Sequence, residues 1–103
     1  MGQRIAVQQP VVEGDVAVFV TDRNFTGAGA IRFESMSDAE TQKGVPAKLA
    51  CRLYAVDAGL RQLYVAMDTI VVRRVVGWSD AHLAAVAHAI EEVFVFYPVD
   101  NPN

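Results

Sequence analysis

Two histidines, one cysteine and a few serines are the residues through which this 103-residue chain could do covalent or metal chemistry. His82 and His88 stand six positions apart. On a helix that spacing turns them about 120° from one another, so they do not share the face that an i, i+4 metal pair needs. His88 with Glu91 or Glu92 makes at most half a metal site, and neither a metal nor a cofactor is expected. Cys51 would need an adjacent base and an electropositive setting to act as a nucleophile. Its surroundings, read from the strand pattern below, are Leu53, Val65 and Met67, which makes it a small core residue. Ser35, Ser37 and Ser79 lie in a polar stretch or at a helix start, and none belongs to a nucleophile-elbow sequence. The balance leans away from an enzyme.

Binding chemistry has more candidates. Asn24-Phe25-Thr26-Gly27-Ala28-Gly29 is rich in turn formers, and its amides could form an anion nest beside Arg23 or Arg32. It lacks the spacing of a phosphate-binding fingerprint and precedes a strand, so a turn is the simpler reading. Arg32, Arg52, Tyr54, Tyr64 and Trp78 are the candidate ligand-binding residues: two guanidinium groups for an anion, two tyrosines able to pair across strands, and an indole at a strand-to-helix junction. Val95 and Phe96 fall off the apolar stripe of the last helix and are the candidate oligomer interface.

Composition restricts the partners. The net charge is -3 with a pI near 5.2, and the nine basic residues are scattered. A nucleic-acid binder usually carries a basic stripe, so nucleic acid is not expected as a partner. No apolar run approaches the roughly 18 residues of a membrane span, and Met1-Gly2-Gln3-Arg4-Ile5 lacks the apolar core of a secretory signal. A single cysteine excludes an intrachain disulfide. These features together point to a cytoplasmic protein. Hydrophobic residues make up 52% and charged residues 20%, an apolar surplus that suggests part of the surface is covered by another subunit.

The elements that must position these residues read mostly as strands. Arg4 to Gln8 alternates, and Pro10 ends or edges that strand. Glu13-Gly14-Asp15 reads as a turn. Val16 to Val20 is continuously apolar and reads as a central strand covered on both faces. Ala30 to Glu34 alternates again, and Ser35 to Gly44 reads as a polar loop. Ala47 to Val56 and Gln62 to Asp68 read as the arms of a hairpin, with Leu53 opposite Val65 and Tyr54 opposite Tyr64. The alternation changes phase at Asp68-Thr69, which predicts a bulge or tight bend before a strand reaching Val76. Ser79-Asp80 is a sound helix start. A helix then spans Asp80 to Glu92, with helix continuing up to Pro98.

This order of elements predicts a single α+β domain over 1–98 with a flexible tail over 99–103. Its core would be an antiparallel sheet of five or six strands, open or curled into a partial barrel, packed against one C-terminal helix. In order of elements it resembles pleckstrin-homology-like barrels. The leading functional expectation is a small non-enzymatic interaction module that forms a homo-oligomer. The alternative is a small-molecule binding protein or minor enzyme, with a pocket between helix and curled sheet.

Overall fold

The computed structural model describes residues 4–96. Five antiparallel strands form one open sheet: β1 (Val11–Glu13), β2 (Val16–Val20), β3 (Ala30–Phe33), β4 (Leu60–Ala66) and β5 (Thr69–Arg74), in the order β1-β2-β5-β4-β3. The α+β class and the five-strand count stand, whereas the partial barrel does not, because β1 and β3 are free edges rather than partners. The apolar strand Val16–Val20 is next to an edge, and β5 is central. Only one of its faces is covered: Ala17 and Phe19 are fully buried, whereas Val16, Val18 and Val20 are half-exposed.

Two turns fix the register. Gly14 takes φ 64 in the hairpin that joins β1 to β2, a left-handed conformation that glycine adopts without steric cost. At the other end Met67 takes φ 58 in the two-residue turn between Ala66 and Thr69. That is unusual for a side-chain-bearing residue. The loop beneath supports it, since Met67 N–H donates to Thr26 Oγ1 at 2.7 Å and Phe25 N–H donates to the Met67 carbonyl at 2.8 Å. The change of phase after Met67 is this tight turn. A bulge between Leu60 and Gln62 adds Arg61 to β4, so that Leu60 joins Leu63 and Val65 on the buried face.

The main correction concerns the segment between β3 and β4. Met36–Thr41 is helix α1 and Val45–Val56 is helix α2, where a polar loop and a strand were expected. Ser35 caps α1 by accepting from Asp38 N–H at 3.1 Å, and Asp38 in turn accepts from Glu34 N–H at 3.0 Å. In α2, Ala47, Leu49, Ala50, Leu53 and Tyr54 are buried at helical spacing, and Pro46 sits in the first turn, where its missing N–H costs nothing. The expected pairing of Tyr54 with Tyr64 therefore does not form. The helix at Asp80–Glu91 (α3) is as expected, with Ser79 accepting from His82 N–H. After a turn at Glu92, Val93–Phe96 is again helical (α4); Pro98 and the expected tail lie outside the described residues.

Helices α2 and α3 pack together and press their apolar sides onto one face of the sheet. Phe19, Phe33, Leu63, Val65, Ile70 and Val72 meet Leu49, Leu53, Val86 and Ile90 there, all 0% exposed. The sheet thus has more than one C-terminal helix as its cover. The segment from Arg4, expected as a strand, makes a single bridge from Val7 to Thr21, and Ile5 N–H donates to the Glu91 carbonyl at 2.8 Å.

Candidate functional site

Strand alternation that buries one face turns the other outward, and among the described residues no helix lies over that outer face. The registers place Val11, Val18, Val71, Tyr64 and Arg32 in one cross-strand row that spans all five strands. Flanking it are Glu13, Val16, Arg73 and Gln62 on one side and Val20, Thr69, Ala66 and Ala30 on the other. Val11 is 65% exposed and Tyr64 40%. A shallow depression of about 260 Å³ lies in this face, floored by Val16 and Val71 and bordered by Arg32, Gln62, Tyr64 and Arg73. Arg73 Nε donates to Asp15 at 3.0 Å and Gln62 donates to Glu34 at 2.9 Å. Arg32 makes no hydrogen bond or ion pair among the described residues, so its charge is the available one.

Of the five residues expected to bind a ligand, the fold brings Arg32 and Tyr64 together as cross-strand neighbours. The other three lie elsewhere. Arg52 is half-buried on α2. Tyr54 is buried, its hydroxyl 2.9 Å from the Arg61 carbonyl, to which it donates, and 3.3 Å from that of Phe33. Burial, with Glu34 and Asp38 nearby, pushes the phenol up to about 12. Trp78 is half-buried, donates from Nε1 to the Asp15 carbonyl at 3.0 Å and meets the Phe19 ring edge-on at 6.0 Å, the arrangement of a wedge between strand and helix. Val95 is 46% exposed, and the side chain of Phe96 lies outside what is described.

A buried polar network joins the end of α2, β5 and the start of α3. Arg74 Nε donates to Asp57 Oδ2 at 2.9 Å, Arg74 Nη1 donates to the Gly77 carbonyl at 2.8 Å, and Gly59 N–H donates to Asp57 Oδ1 at 2.9 Å. Burial raises the Asp57 carboxyl, but the Arg74 hydrogen bond, the Gly59 amide and the Arg74 charge outweigh it and hold the group below its ordinary value. Gly59 leaves room for the guanidinium: a Cβ there would meet Arg74 at 3.0 Å, and the guanidinium would have to give by a few tenths of an ångström.

The network also decides what His82 can do. Its Nε2 lies 2.8 Å from Arg74 Nη2, and a guanidinium has no acceptor, so Nε2 accepts. The ring proton then sits on Nδ1, which donates to Ser79 Oγ at 2.7 Å. A serine nucleophile needs the facing imidazole nitrogen bare. With that nitrogen protonated, the Ser79–His82 pair is a helix cap rather than a catalytic dyad. The readable signals for this network were an Asp two residues before a Gly and an arginine within the apolar strand Thr69–Arg74.

The remaining candidates are engaged locally. In the glycine loop Asn24 Oδ1 accepts from Thr26 N–H at 3.1 Å and from Gly27 N–H at 2.8 Å, using the amides that a nest would turn toward an anion. His88 lies 3.4 Å from Glu92 on the exposed side of α3, and no group of three or more metal-ligating side chains occurs among the described residues. No helix among them is long and apolar enough to cross a membrane.

No protein-family model matches the chain, and no curated protein matches it. Among solved structures it is similar to protein SAV1430 from Staphylococcus aureus, with 18% identity and a TM-score of 0.54 over 89% of this chain and 98% of that one. At that identity the likeness concerns the fold alone.

Proposed function

We propose that this chain is a small non-enzymatic interaction module that self-associates, and that the open face of its sheet is the contact surface. The observation that carries the reading is the five-strand row Val11, Val18, Val71, Tyr64 and Arg32, in which four of five side chains are apolar or aromatic and none belongs to the helix-covered core. Two such faces, packed about 10 Å apart, give each other the cover that each lacks alone. The chain's apolar surplus fits this use. A second copy is the simplest occupant, since closed two-fold dimers are the commonest soluble assembly.

Light scattering after size exclusion, across a concentration range, tests the reading. A dimer or larger assembly is expected, and Val71→Lys at the centre of the face should dissociate it while leaving the fold intact. Dissociation by Phe96→Glu instead would move the interface to the C-terminal helix, and a strict monomer at all concentrations would refute self-association. The alternative, a small-molecule binding protein, is supported by the depression around Arg32 and Tyr64. It would be favoured by a monomer whose thermal stability rises with a planar anion and no longer does so in Arg32→Ala.

A further inference from the structure

We infer that the cleft between α1 and α2, on the other side of the molecule from the sheet's open face, is a binding site for a small apolar carboxylate. Small residues make the cleft: Ala39 on α1 with Ala47 and Cys51 on α2 form its floor, and no larger side chain fills the space where the helices diverge. Its volume is about 380 Å³, within the roughly 300–1,000 Å³ of small-molecule sites. The floor is apolar, because burial and the nearby Glu40 carboxylate push the Cys51 thiol up and keep it neutral.

The rim is cationic. Lys43 and Lys48 border the cleft, and neither side chain has an ion pair or hydrogen bond among the described residues, while Glu40 is the single acid there. The adjoining end of α2 has no side-chain cap and no acid in its first turn, so its dipole adds to the lysine field. An apolar floor under an excess of positive charge selects an apolar body with an anionic head. It disfavours an uncharged molecule of the same shape, which gains nothing from the rim, and a cation, which the lysines repel.

The sole cysteine lies on the floor and serves as the reporter. The alkylation rate of Cys51 by iodoacetamide is measured in the full chain at fixed pH against increasing octanoate, with 1-octanol as the uncharged control. Saturable protection by octanoate is expected, about tenfold at ten times its Kd by mass action, with none from octanol at equal concentration. In Lys43→Glu/Lys48→Glu, whose altered positions are exposed, the rate with octanoate is compared with that variant's own rate without it, and the protection should vanish. The inference is overturned by any of three results: no saturable slowing with octanoate, equal protection by octanol, or protection that persists in the double variant. A thiol that resists alkylation in the free protein even at alkaline pH, where it ionises, would likewise overturn it by denying the cleft. None of these outcomes depends on the oligomeric state, so the reading of the sheet face stands or falls separately.

Discussion

The two faces of the sheet are built from the same kinds of residue and meet different fates. On β2, Phe19 is 0% exposed beneath the helices, while its neighbour Val18 lies in the open row on the far side. On β5, Ile70 and Val72 are fully buried, and Val71 between them is half-exposed. A sheet that met water on one face would show valine in and polar residues out. Here β2 turns Ala17 and Phe19 inward and three valines outward, and β5 carries valine on both faces, so the far face is composed like a surface that expects cover. The difference teaches that apolar content alone does not locate a core; the side on which the helices land does.

The largest effect should come from breaking the covered face. Phe19→Ala removes a ring wedged between the sheet and Trp78, and loss of a buried aromatic of this kind destabilises by about 3–5 kcal/mol. Urea unfolding should show it as a lower midpoint at an unchanged slope. A loss below about 1 kcal/mol would mean that this face is not the core.

Next in size is the polar latch at the end of that face. Asp57→Ala leaves Arg74 buried without its counterion, since the two side chains are only 7% and 10% exposed. Removing one partner of such a pair is expected to destabilise by about 3 kcal/mol. The pH dependence has a definite sign. The folded Asp57 carboxyl lies below its ordinary 3.8, so its contribution is fully present above that value and is lost as pH falls through the lower folded one. Wild-type stability should therefore fall more steeply than that of Asp57→Asn once pH drops below about 4–5. Parallel curves would remove Asp57 from the acid response.

A smaller effect is expected where the helices are set onto the sheet. Ser79→Ala removes the oxygen that accepts from both His82 N–H and His82 Nδ1–H, and loss of an N-cap of this kind is worth about 1 kcal/mol. Its nuclear magnetic resonance signature should be local, with shifts confined to the start of α3 and to Arg74. Changes spread over β2 and β3 would show that the cap does more than hold the helix start.

The same contrast explains what could be read from the chain itself. Val16–Val20, Ala30–Phe33 and Asp80–Glu91 were legible because each carries one clear pattern bounded by a turn former or a cap. Ala47–Val56 was not, because Leu49, Cys51 and Leu53 alternate as a strand would, while Ala47, Ala50 and Tyr54 recur as a helix does. Its alanines, leucines, lysine and arginine, together with Pro46 in the first turn, favour helix by propensity, and Ser35 three residues before Asp38 marks a helix start upstream. Those local signals were outweighed by an apparent hairpin register. That error paired Tyr54 with Tyr64, which the fold places apart on α2 and β4, and it gave no sign that Tyr64 neighbours Arg32 instead. The Asp57–Arg74–His82 network was illegible for a different reason: it joins residues 57, 74 and 82 through tertiary packing, with only local hints in the chain.

The smallest single effect is also the one that most sharpens the contrast between faces. Val18→Ala, one residue from Phe19→Ala, removes two methyl groups from the outer row. If water alone lies over that row, the loss should stay within about 0.5 kcal/mol, as for surface substitutions generally. If a second copy covers it, as proposed, the same change acts on an interface, and its size should depend on protein concentration because association stabilises the folded state by mass action. Urea midpoints for wild type and Val18→Ala, compared over a hundredfold range of concentration, separate the two cases. A wild-type midpoint that rises with concentration, and a variant whose midpoint rises less, would place the outer face in a contact. Two concentration-independent midpoints a few tenths of a kcal/mol apart would leave it facing water.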